Sequence, residues 1–200
     1  MEVMDAIRRR RSVRRFLPRP VPRAMLEQLV DAARLAPSAA NRQGLKFVVV
    51  SDPSLRQELF ACLKWAAYIA PRGTPDEAHR PTAYIAVVVV EALAPAIGPA
   101  YDVGAAVENI LLAAVGMGLG GCWIKSVDIP RASRLLGIGE GLKLDSVVAL
   151  GWPAQEVVVE ELAPGTQGLE AIRYWLDDAG VHHVPKRALE DVIVWEKFGD

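Results

Sequence analysis

The sequence predicts an α+β fold in a single domain, on three observations. Strand-like and helix-like segments interleave without the regular strand–helix–strand rhythm of a parallel α/β protein. The run Ala83 to Val90 is apolar and β-branched on both faces, as a central strand must be. The stretch Asp102 to Leu119 has helical length and almost no polar face, so it belongs inside a large core or between subunits. At 200 residues, 52% hydrophobic and 24% charged, the chain is long enough for one sizeable core and too apolar to be disordered.

The elements follow in order. Residues 2–10 read as a short helix. The loop after it carries Pro18, Pro20 and Pro22, which forbid regular helix or central strand. Arg23 to Ala36 places Met25, Leu26, Leu29, Val30 and Ala33 at helical spacing, and Pro37 stops that helix. Lys46 to Ser51 is a short β-branched strand, and Asp52-Pro53-Ser54 caps a helix running to about Leu63. Residues 71–81 are polar and rich in breakers, a mobile loop or lid. After the apolar helix come Gly116, Gly118, Gly120 and Gly121, then a short strand around Cys122 to Ile124. Pro130 starts a helix leading to Leu136, and Leu144 to Gly151 is a third substantial strand. From Trp175 onward the chain reads as irregular and ends in a short amphipathic piece over 189–198, so that 175–200 form a carboxy-terminal arm on a single 1–200 domain.

Net charge is −1, so no global field drives the chain to nucleic acid or membrane. The charge is nevertheless uneven: residues 1–23 hold eight arginines against Glu2 and Asp5. Cys62 and Cys122 lie far apart, and with His79, His182 and His183 they form no metal-ligand spacing, so no metal site is expected. Both thiols read as reduced core residues, which places the chain in the cytoplasm. No signal peptide opens it, and the apolar stretch Ile110 to Ile124 is shorter than the ~20 residues a bilayer span needs. Mean hydropathy of +0.19 is high for a soluble chain, and surplus apolar surface often goes into a subunit interface.

Four stretches could carry chemistry. Arg10-Arg11-Ser12-Val13-Arg14 offers guanidinium forks with a hydroxyl beside them, suited to a phosphate; by itself such a run is more often a solvated basic face or a nucleic-acid arm. Aromatic residues are 6% of the chain and do not interleave with it, so no base-stacking platform accompanies the charge. Pro37, Ser38, Asn41 and Gln43 follow a helix end with small residues between them, which lets backbone approach a planar ligand. Gly116 to Gly121 satisfies G-x-G-x-x-G literally, but it closes a helix and opens a strand, the reverse of a dinucleotide fingerprint. Lys186-Arg187, after His182-His183, is a basic pair that alone reads as surface.

Together these segments are more specific than any of them. RRSVR near the start, APSAANRQ, an apolar helix with D-x-G-A-A-x-x-N, GLGGCWI and ALGWPA occur in an order that resembles the nitroreductase family over Ile7 to Trp195. The resemblance implies a three-layer sandwich with a central, mainly antiparallel sheet flanked by helices. It further implies a homodimer holding FMN at the subunit interface. Arg10, Arg11 and Ser12 would hold the phosphate and ribityl chain, and Arg14 would lie near the pyrimidine end. Pro37, Ser38 and Asn41 would come from the partner subunit, and Gln43 would also bind the cofactor. Gly121, Ile124 and Lys125 would run along the ring, and Lys186 and Arg187 would complete the phosphate cage. No side chain need be catalytic, because the cofactor carries the chemistry. The implied activity takes hydride from NAD(P)H onto flavin and reduces a small acceptor such as a nitroaromatic or quinone. The alternatives are reductive dehalogenation or metabolite dehydrogenation on the same fold, or a non-enzymatic flavin-binding protein. The chain departs from the family at Gln43-Gly44-Leu45, where Gln-Pro-Trp is common, and residues 64–80 match no single activity type.

Overall fold

The computed structural model describes residues 1–198. Its elements in chain order begin with helices α1 (Val3–Arg9) and α2 (Arg23–Arg34), strand β1 (Leu45–Val50), helix α3 (Pro53–Phe60) and strand β2 (Ala83–Val90). There follow helix α4 (Ala100–Gly116), strand β3 (Gly120–Ile124), helix α5 (Ile129–Leu135), strand β4 (Leu142–Gly151) and three further strands, β5 (Val157–Glu161), β6 (Trp175–Leu176) and β7 (His182–Lys186). Strands β1–β2–β4–β3, in that spatial order, make an antiparallel sheet. The expected α+β sandwich is what the chain forms.

Strand β2 explains the layering. Side chains alternate across a strand, and Ala83, Ile85, Val87 and Val89 enter a core shared with α2 and α4. Tyr84, Ala86 and Val88 enter the opposite core, with Leu59 of α3 and Ala132 of α5. A strand packed on both faces has no place for polar side chains, hence its composition. Asp52 caps α3 as its sequence position predicts: Oδ1 accepts from the Leu55 amide at 2.9 Å and from the Ser54 hydroxyl at 2.6 Å. On β4 a bulge sets Ser146 opposite Val87 and Leu144 opposite Val88, leaving Asp145 as the extra residue.

Helix α4 is half core. Val103, Ala106, Val107, Ile110 and Ala114 are buried, while Tyr101 is 74% exposed and Ala105 and Leu112 are only partly covered. The helix ends at Gly116, earlier than Leu119, because Gly118 at φ +78° turns the chain into β3. Gly121 packs closely: a Cβ there would lie 2.7 Å from Leu111 Cδ2, which would have to shift. The glycine run thus closes a helix and opens a strand.

The carboxy-terminal third corrects one expectation. The segment after Trp175 is not irregular: β7 pairs in parallel with β5 and antiparallel with β6, making a second, three-stranded sheet. Pro185 is tolerated within β7 because β6 reaches only His182 and His183, so no partner on that side requires its missing donor. The amphipathic end piece forms one 3-10 turn, Leu189–Asp191, and leaves Leu189, Val192, Trp195 and Phe198 exposed. Residues 199 and 200 of the expected arm lie outside the described residues. The 71–81 loop is built of turns and a 3-10 segment, Glu77–His79, tied down by Arg15 Nη1 to Asp76 at 2.8 Å and by Arg72 donating to the Asp177 carbonyl. Among the described residues no helix is long and apolar enough to cross a membrane.

Candidate functional site

The amino-terminal segment reaches the sheet in extended form. Ser12 bridges Gly121 at the free edge of β3, and the Val13 amide donates to the Gly121 carbonyl at 3.0 Å. Extended backbone sends alternate side chains to opposite sides. Arg11 and Val13 line one cavity, and Arg14 lines another with Cys122, Ile124 and Lys125. The basic run is therefore divided by its own geometry.

The cations differ in what holds them. Arg10 pairs with Glu108 of α4 at 3.0 Å. Arg11 donates back to the Arg10 carbonyl and leaves Nε buried without a partner; burial, then the neighbouring Arg10 charge, holds its pKa below the ordinary value. Lys125 gives its ammonium to the bulge residue, Nζ to Asp145 Oδ1 at 2.6 Å. Among the described residues Arg14 forms no ion pair. Its backbone amide donates to Gln155 Oε1 at 3.1 Å and its guanidinium to the Ser12 carbonyl at 3.4 Å.

The cavity beside Arg14 has a volume of about 250 Å³, with Trp65 and Tyr174 in its walls. Cys122 lies beneath it; burial pushes its thiol up, against the opposing influence of Arg14 and Ser12. Pro37, Ser38 and Gln43 line a different cavity of about 260 Å³, between α2, β1 and α4. Its loop is pinned internally: Ser38 Oγ accepts from the Gln43 amide at 3.0 Å, and buried Asp102 accepts from the Ala39 amide at 3.0 Å. Ala40, Asn41 and Gln43 all have φ near +50°, a conformation that ordinary residues adopt only where the surroundings impose it.

The two cavities sit at opposite edges of the sheet. With β1 and β3 three strand spacings apart, about 14 Å separates their backbones. One chain thus brings Arg14, Gly121, Ile124 and Lys125 together and keeps Pro37, Ser38, Asn41 and Gln43 elsewhere. Lys186 and Arg187 stand at the far end of β7 from His182, and Arg187 donates to the Thr166 carbonyl at 3.0 Å. Among the described residues no group of three or more His, Cys, Asp or Glu is placed to hold a metal ion.

Sequence reasoning passed over Asp102, Gln155, Tyr174 and His182. Asp102 carried a signal, one of two acids in an otherwise apolar helix. The others meet Arg14 only through contacts more than 140 residues apart in the chain.

Comparison with known proteins gives a consistent result. Residues 7–152 match the model of the Nitroreductase family. A Methanothermobacter thermautotrophicus protein named NADH dehydrogenase/NAD(P)H nitroreductase is 30% identical over 176 residues, covering 84% of this chain and 83% of its own. A Thermus thermophilus NADH dehydrogenase is 28% identical over 204 residues, covering 88% of this chain and 96% of its own. Among solved structures, a Desulfovibrio desulfuricans nitroreductase in complex with FMN is 25% identical, with a TM-score of 0.67 over 100% of this chain and 99% of that one.

Proposed function

Because the chain belongs to the nitroreductase family, we propose that it is an FMN-dependent NAD(P)H oxidoreductase whose site is completed only by a second copy of itself. The observation that carries this reading is the split site: the β3-edge cavity and the Pro37–Gln43 cavity lie at opposite edges of one sheet. Within one chain the width of the sheet separates the two cavities. Two chains related by a twofold axis would set each cavity against the other kind. The exposed Tyr101 face of α4, together with Met4 and Ile7 of α1, supplies apolar surface for such a contact.

The residues present suit FMN. A guanidinium without an acidic partner, a strand edge with extended backbone beside it, and aromatic walls form a donor set for a planar group that becomes anionic on reduction. Bound FMN would supply hydride acceptance from NAD(P)H and electron delivery to a small acceptor, a nitroaromatic or quinone. Arg14 would oppose the negative charge developing at the pyrimidine end. Gly121, Ile124 and the Lys125 backbone would line the ring, while Ser12, and Arg10 on leaving Glu108, would face the ribityl chain and phosphate. Arg11 and Arg187 would reach the phosphate only by leaving the carbonyls they now bond, and Lys186 would join them. Pro37, Ser38, Asn41 and Gln43 of the second copy would close the ring face and exclude water.

The test is a visible spectrum and a solution mass of the purified protein. A yellow dimer that NADH or NADPH bleaches anaerobically is the expected result. A colourless monomer indifferent to added FMN would sink the proposal. Turnover of nitroaromatics against halogenated phenols separates the two reductive readings.

A further inference from the structure

Arg14 is held by neutral groups alone. His182 Nδ1 lies 3.4 Å from its Nη1, and its guanidinium carbon sits 5.1 Å from the centre of the Tyr174 ring. Tyr174 and His182 meet each other edge to face, centroids 5.2 Å apart and planes at 90°. The His182 contact links the carboxy-terminal sheet to a residue 168 positions earlier. Three neighbouring cations, by contrast, each meet an acid: Arg10 has Glu108, Arg15 has Asp76, Lys125 has Asp145.

We infer that Tyr174 and His182 are positioning residues for Arg14, fixing its guanidinium at the wall of the β3-edge cavity while leaving its charge uncompensated. The inference rests on the FMN reading for its consequence, though not for the contacts themselves. His182 can accept from Arg14 only as the neutral tautomer with its proton on Nε2. That nitrogen is buried and, among the described residues, has no hydrogen-bond partner, an arrangement with a cost. The Arg14 contact needs the neutral ring: a charged imidazole would present a proton to the guanidinium and add a like charge. Burial, then the charges of Arg14 and His183, lowers the His182 pKa to about 4, so the ring stays neutral at physiological pH. Tyr174 contributes the face of its ring, which attracts the cation without neutralising it. A carboxylate in either place would hold Arg14 as firmly and weaken its field toward an anionic ligand.

The experiment compares paired variants of the flavin-loaded protein by reduction potential. His182→Leu removes the acceptor and His182→Asn restores one near the Nδ1 position; Tyr174→Leu removes the ring and Tyr174→Phe keeps it. Each leucine variant should shift the flavin reduction equilibrium about tenfold toward the oxidised form, a fall of about 30 mV for a two-electron couple. The Asn and Phe variants should stay near the parent value. Leucine variants that bind FMN with unchanged potential overturn the inference, and so do conservative variants that shift as far as the leucines. Nitrogen NMR of His182 in flavin-free protein reads the contact directly. Arg14→Gln should move the Nδ1 resonance, and an unmoved resonance overturns the positioning role. If the parent protein binds no FMN, the proposed function falls, and the NMR result alone decides the positioning.

Discussion

The four-stranded sheet and the carboxy-terminal three-stranded sheet are held by different forces. Seven of the eight residues of β2 are buried, and its two faces feed two apolar cores. In the small sheet β5 has no buried residue, and much of the order comes from rings and charges. His183 Nδ1 meets Glu160 at 2.6 Å, its Nε2 meets Asp177 at 3.4 Å, and its ring stacks on Trp175 at 4.8 Å. Burial without charge is insensitive to pH, whereas a histidine-based sheet is not. The large sheet should therefore behave as scaffold and the small one as the part that solution conditions adjust.

That contrast can be broken from either side. The largest effect should come from Ile85→Ala in β2, where a fully buried side chain leaves a cavity; a loss of about 3–4 kcal/mol in denaturant unfolding is expected. A loss under 1 kcal/mol would show that β2 is not the core it resembles.

Acidification should come next. With the folded pKa of His182 lowered to about 4 and the unfolded value near 6.5, the unfolded chain takes up the proton first. Stability from this group is complete above pH 6.5 and falls by about 2–3 kcal/mol as pH drops toward 4. Urea titrations at stepped pH should show this slope in the parent and not in His182→Leu.

Removing the α3 cap is smaller: Asp52→Ala should cost about 1 kcal/mol, read as a shift of thermal midpoint without change in the carboxy-terminal sheet. The smallest and most local change involves His183, whose pKa is raised by its hydrogen bond to Glu160, despite partial desolvation, with Asp177 adding to the rise. Its contribution is present below pH 6.5 and is lost as pH rises through the folded value, opposite in sign to His182. Trp175 fluorescence should report loosening of β6 and β7 as pH rises above 6.5, and His183→Gln should abolish that dependence. A parent protein with no such pH response would mean that the stacked ring, not the charge, holds these strands.

Much of the large sheet was legible because its residues obey local rules. The apolar run of β2, the Asp52 cap and the proline after α2 each act within a few residues of themselves. Five motifs in order, from RRSVR through APSAANRQ, the D-x-G-A-A-x-x-N helix and GLGGCWI to ALGWPA, suggested the family. The small sheet was not legible. Its strands are short and half-exposed, β7 contains Pro185, and β5 and β7 pair across 25 residues.

What the chain determined unaided is the set of buried surfaces: which strand is central, which helix is apolar, where each helix starts and stops. Those follow from side-chain chemistry and the two backbone periods, and need no distant partner. Only the tertiary structure decided how the cations of one short run are divided. Arg10 went to an acid and Arg14 to two neutral rings, because each met a partner more than 90 residues away that proximity in sequence cannot specify.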